Sequence, residues 1–138
     1  MKHVFLVGTL VAALGLTLEA QTANTSLGTV TLSKAVMADG QKLAAGTYQV
    51  RLTNDQPKPG AGQSPDAERY VEFVRGGKVV GKEVATVISE ADIKQVLDSP
   101  RQPAAGSSRV ELLKGNDYVR VWINRGGTNY ILHMPVAA

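Results

Sequence analysis

The chain of 138 residues contains no cysteine. That single absence excludes disulfide bridges, thiolate metal sites, thiol nucleophiles and dithiol redox pairs. Histidine is nearly absent too: only His3 and His133 occur, and a lone histidine cannot make up a metal site. No run of lysines or arginines marks a nucleic-acid or membrane-surface patch, because basic residues alternate with acidic ones, as in Arg69-Tyr70-Val71-Glu72 and Lys82-Glu83. No Gly-x-Ser-x-Gly elbow, no internal repeat of fixed period and no second apolar run of membrane-spanning length are present. Aromatic residues are 5% of the chain, with Trp122 the only tryptophan.

What is present begins with an address. Lys2 and His3 precede the uncharged, mostly apolar run Val4 to Leu18, and Glu19-Ala20-Gln21 follow it. A bilayer core needs about 20 apolar residues. This run has 15, interrupted by Gly8, Thr9, Gly15 and Thr17. The pattern predicts a secretory signal peptide over residues 1–20, cut after Ala20 or alternatively after Ala23. The mature chain is then expected to be secreted or periplasmic, without a membrane span. Removing residues 1–20 leaves 118 of the 138 residues, the size of one ordinary domain. The expected organisation is a flexible lead-in at 21–27 and a single domain at 28–138, with a mild net charge of +3.

Within that domain the periodicity is that of strands. Thr29-Val30-Thr31-Leu32-Ser33 alternates polar and apolar residues, Val36-Met37 continues it, and Asp39-Gly40 signals a turn. After Gly46, the residues Tyr48, Val50 and Leu52 share one strand face with Thr47, Gln49 and Arg51 opposite. Asp55 to Ala67 is rich in proline and glycine and reads as a long loop. Tyr70 to Arg75 and Lys78 to Ile88 read as a hairpin about Gly76-Gly77, with both faces of the return strand apolar or a bulge near Gly81. Ser89 to Leu97 allows a short helical turn, and Asp98 to Ser108 is a second loop. A meander follows: Arg109 to Lys114, Asp117 to Asn124 and Thr128 to Val136, joined by turns at Gly115-Asn116 and Arg125-Gly126-Gly127. About seven strands and at most one short helix predict an all-β, antiparallel β-sandwich, or alternatively a small β-barrel.

The segment Leu43-Ala44-Ala45-Gly46-Thr47-Tyr48-Gln49-Val50 resembles the leucine-proline-alanine-glycine-threonine-tyrosine turn-to-strand motif of small exported bacterial β-sandwich proteins, prealbumin-like or carboxypeptidase-regulatory-like. Ala44 stands where proline is usual. The resemblance implies a sandwich fold and an accessory or adhesive role, and it implies no catalytic residue.

Candidate chemistry is sparse. Strand alternation places His133 with Asn129 and Ile131, and no nucleophile context accompanies it. Glu90, Asp92 and Asp98 match no calcium-loop spacing and read as a solvated acidic edge. The glycine pairs lead into strands rather than helices, so they read as hairpin turns and not phosphate loops. The remaining feature is Tyr118-Val119-Arg120-Val121-Trp122-Ile123-Asn124, in which Tyr118, Arg120 and Trp122 project to one side. Aromatic faces flanking an arginine stack on sugar rings and recur at binding hot spots. The competing reading makes Trp122 a core residue with Arg120 covering it. Together these features predict an exported, non-catalytic module that binds a polysaccharide or protein partner through Tyr118, Arg120 and Trp122, without cofactor, metal or nucleic acid. The alternative is a structural subunit assembling by sheet-edge pairing, and a hydrolase built on His133 or the acids near Glu90 is a third class.

Overall fold

The computed structural model describes residues 25–58, 61–63, 67–96 and 102–137. The leader-like segment lies outside them. The strands are β1 (Thr25–Leu32), β2 (Val36–Ala38), β3 (Gln41–Leu43), β4 (Gly46–Leu52), β5 (Glu68–Arg75), β6 (Lys78–Ile88), β7 (Ser107–Leu113), β8 (Tyr118–Arg125) and β9 (Thr128–Pro135). A single helical turn, α1 (Ile93–Val96), follows β6. Turn chemistry sets the hairpins: Gly76-Gly77 and Gly126-Gly127 all have positive φ, which two-residue hairpin turns require and which glycine reaches without strain. The expected bulge is also formed, with Val80 as the extra residue between pairs Phe73–Gly81 and Val74–Val79.

Seven strands form one antiparallel sheet in the order β1-β4-β5-β6-β9-β8-β7, and β2 pairs with β3 in a separate hairpin. The fold is therefore all-β, in the barrel-like form given as the alternative. Its two halves, four strands and three, are joined by only three residue pairs, Thr86–Ile131, Val87–Tyr130 and Ile88–Asn129. The sheet bends there, so the inner faces of the halves close on one core. Val30, Leu32, Tyr48, Val50, Val71, Phe73 and Ala85 come from one half, and Val119, Val121, Ile123, Leu132 and Met134 from the other. An odd number of strands, each antiparallel to the next, leaves β1 and β7 pointing the same way. They meet at a seam through side chains: Ser108 Oγ of β7 donates to Thr29 O at 3.4 Å, and beside it Arg125 of β8 donates from Nη1 to Ser26 O.

The β2–β3 hairpin fills the space left where β6 and β9 diverge. Val36, Ala38 and Leu43 are buried in the core, Val36 bridges Val136, and the Asp39 amide donates to Glu83 Oε1 at 2.8 Å. Gly81 makes the close approach possible, since a Cβ there would lie 2.7 Å from Leu43 Cδ2. Of the lead-in expected at 21–27, residues 21–24 lie outside the described residues and 25–27 are in β1. β1 already begins at Thr25, because Leu27 is buried in the core.

Candidate functional site

The expected stripe lies on β8, and the pleat separates its faces as anticipated. Val119, Val121 and Ile123 are buried in the main core, so Tyr118, Arg120, Trp122 and Asn124 point outward. Their fates differ. Tyr118 is 47% exposed, whereas Trp122 is 1% exposed. Trp122 forms a second apolar cluster on the outside of the sheet with Ile88, Ile93 and Ile131. The segment carrying α1 lies over it. Trp122 is thus a covered residue of the outward face, and of the expected stripe Tyr118 is exposed and Arg120 partly so.

Polar anchors hold this cover down. Trp122 Nε1 donates to Asn129 Oδ1 at 2.8 Å, and the same oxygen accepts from Gln102 Nε2 at 3.2 Å. Asn129 Nδ2 donates to Gly127 O at 3.2 Å and to Ile88 O at 3.5 Å. Buried Asn124 donates from Nδ2 to Pro103 O at 2.9 Å and accepts from the Gly127 amide at 3.0 Å. Both amides therefore satisfy their own burial while tying a loop and a turn to the sheet.

Register assembles a group that lies scattered in the sequence. Glu111 of β7 stands opposite Arg120, and Arg120 stands opposite His133 of β9. Arg120 Nε donates to His133 Nε2 at 3.1 Å, so that nitrogen is unprotonated. On the other side Arg120 Nη1 lies 3.8 Å from Glu111 Oε1. Partial burial, aided by the Arg120 charge, lowers the His133 pKa from its ordinary 6.5 and keeps the ring neutral. The next row along the strands is Leu113, Tyr118 and Pro135, again in register. An apolar row with an exposed phenol ring thus abuts a row of donors and acceptors.

Of the acidic candidates, Glu90 and Asp92 lie among the described residues. Ser89 Oγ accepts from the Asp92 amide at 3.2 Å, as a helix N-cap does, and donates to Asp92 Oδ2 at 3.0 Å. Glu90 lies against Gly127, and Asp98 is outside the described residues. Among the described residues no group of three His, Asp or Glu side chains could hold a metal ion, and no helix is long and apolar enough to cross a membrane. An open hollow on the other half of the sheet is lined by Gln41, Glu72, Val79, Val80, Gly81 and Lys82. There the Lys82 ammonium is drawn 4.8 Å from the Tyr70 ring centre.

Glu111, Leu113 and Pro135 are absent from the sequence reading of the site. The signal that finds them lies in two turns: counting outward from Gly115-Asn116 pairs Leu113 with Tyr118 and Glu111 with Arg120, and counting outward from Gly126-Gly127 pairs Tyr118 with Pro135. No protein-family profile, no curated protein and no solved structure matches the chain.

Proposed function

We propose that the chain is an exported, non-catalytic module that binds a cell-envelope or extracellular polymer, a polysaccharide in the first instance, on the outward face of β7, β8 and β9. The observation carrying this reading is the adjacency of two cross-strand rows, Leu113–Tyr118–Pro135 and Glu111–Arg120–His133. A sugar ring offers an apolar face and an edge of hydroxyls. The first row supplies an aromatic platform for the face, and the second supplies donors and acceptors for the edge. Export is supported by the leader-like Met1–Ala20 and by the likeness of Leu43–Val50 to small exported bacterial β-sandwich proteins. Edge-to-edge assembly is the weaker reading, since both end strands of the main sheet face each other across the seam.

The test is co-sedimentation of the chain lacking residues 1–20 with insoluble cell-wall and extracellular polysaccharides. Binding is expected, and Tyr118→Ala is expected to weaken it by about tenfold while leaving the circular dichroism spectrum unchanged. Undiminished binding by Tyr118→Ala would remove this face from consideration. Product release that disappears in folded His133→Ala would overturn the non-catalytic assignment.

A further inference from the structure

We infer that the end of the barrel carrying the β5–β6 hairpin docks on an anionic lipid surface, through a rim of cations that the fold gathers from separate segments. This surface is distinct from the β7–β9 face and does not depend on the polymer reading. The sequence has no basic run, and topology makes the rim instead. β1 and β5 end here while β4 and β6 begin, which brings Lys34, Lys42, Arg75 and Lys78 to one end. Arg75 and Lys78 are cross-strand partners at the hairpin and share a face. The Arg75 guanidinium rests on Gly46, and Gly46 is the partner of Leu32, two residues before Lys34. Lys42 adjoins Leu43, whose methyl lies against Gly81, three residues from Lys78. The turn tips between them, Ala44-Ala45 and Gly76-Gly77, are exposed and uncharged.

All four cations are exposed, and among the described residues none of them is in an ion pair. The acids nearby are placed elsewhere. Glu83 accepts from the amides of Asp39 and Val84, which holds both acids about 15 Å along β6 from Lys78. Asp117 lies against Gly115 at the β7–β8 turn, across the rim from the hairpin. Four positive charges at one end exceed the whole chain's net charge of +3, so the field is directed rather than spread. Arg75 is also fixed in place: its guanidinium lies 5.3 Å from the Tyr48 ring centre, and Nη1 donates to the Tyr48 hydroxyl at 3.4 Å. A guanidinium held before binding loses little freedom on meeting a phosphate. Two observations favour a lipid surface over a soluble polyanion. Val79, next to Lys78, is 50% exposed, more than any other large apolar side chain among the described residues, and an apolar group set among cations suits the boundary between headgroups and acyl chains. The rim is also built of turn tips, which meet a plane, whereas small ligands are held in concave sites.

The experiment is sedimentation of the chain lacking residues 1–20 with vesicles of phosphatidylcholine, alone or with about 30% phosphatidylglycerol, at about 50 mM and about 300 mM salt. Binding is expected only with phosphatidylglycerol, and it should weaken by more than about tenfold at the higher salt. Each cation near an anionic leaflet raises partitioning by about fivefold, so Lys42→Gln/Lys78→Gln should lower it by more than about tenfold. Lys58→Gln/Lys94→Gln removes two exposed charges from segments that follow β4 and β6 at the other end of the barrel, and should change it by less than about twofold. Circular dichroism of each variant confirms that it is folded. Absence of vesicle binding, equal binding with and without phosphatidylglycerol, or an equal loss in the two double variants would overturn the inference. Retention on alginate beads without vesicle binding would replace the lipid surface by a soluble polyanion and overturn it as well. None of these results bears on the β7–β9 face, which the Tyr118→Ala comparison tests separately.

Discussion

Asn129 illustrates how much a single buried amide can decide. Its oxygen receives the Trp122 indole and the Gln102 amide, and its nitrogen reaches two backbone carbonyls, so all its capacity is used in a dry site. Leaving the indole N–H unpaired in this buried site would cost about 1–3 kcal/mol, so the Asn129 acceptor is what allows the outward-facing tryptophan to be buried against Ile88, Ile93 and Ile131. His133 is the counterpart at the solvent boundary. Its pKa is lowered in the folded chain, first by burial and then by Arg120, so folding favours the neutral ring. As pH falls below 6.5 the unfolded chain takes up the proton first, and stability drops until the lowered native value is passed. The urea midpoint of the chain lacking residues 1–20 should therefore fall between about pH 7 and about pH 5 by more in wild type than in His133→Gln. Equal falls would show that the Arg120–His133 contact carries no such linkage. At this scale Tyr118 and Arg120 were legible because alternation alone puts them on one face. The burial of Trp122 is the competing reading of the same stripe, but what covers it was not legible, because the cover comes from α1 and the anchor from β9.

At the scale of elements, the Leu43–Val50 segment is a fold device. Gly46 has a φ of 147° and leaves a bare surface on which the Arg75 guanidinium rests, 3.0 Å from where a Cβ would be. That guanidinium lies 5.3 Å from the Tyr48 ring centre, and the Tyr48 hydroxyl donates back to Ala44 O at 2.5 Å. The motif thus shapes the turn from β3 into β4, and none of these side chains faces the Tyr118 patch. Leu43 completes the device by seating the β2–β3 hairpin against Gly81. Gly81→Ala should destabilise the chain by about 1–3 kcal/mol, since the new methyl has no room beside Leu43. Leu43→Ala should cost about 2–5 kcal/mol alone. The double variant should be more stable than the sum implies, and urea denaturation of all four proteins measures that coupling. Strict additivity would mean the hairpin does not press on β6. Strands and turns were readable here because period-two alternation and glycine pairs act locally. The hairpin's placement depends on Gly81, far along the chain, and no local pattern announces it.

For the molecule as a whole, closure is the organising fact. With seven strands in an antiparallel order, the last pair cannot form an antiparallel ladder, and side chains seal the seam instead. β1 is therefore held by one ladder, to β4, although Leu27, Val30 and Leu32 belong to the core. Thr31 and Thr47 are direct partners in that ladder, with their hydroxyl oxygens 3.0 Å apart. Cysteines at both positions should form an intrachain disulfide across a separation of 16 residues and raise stability by about 3 kcal/mol. Thermal unfolding under oxidising and reducing conditions reads the difference, and no gain on oxidation would mean that β1 does not limit unfolding. The sequence by itself determined the all-β class, most strand positions and the hairpin turns, since these follow from alternation and from glycine's access to positive φ. Only the tertiary structure decided that the sheet bends at the β6–β9 junction and that Trp122 is roofed over. Those outcomes depend on pairings between distant segments, and a one-residue change of register would turn every side chain on a strand to the opposite face.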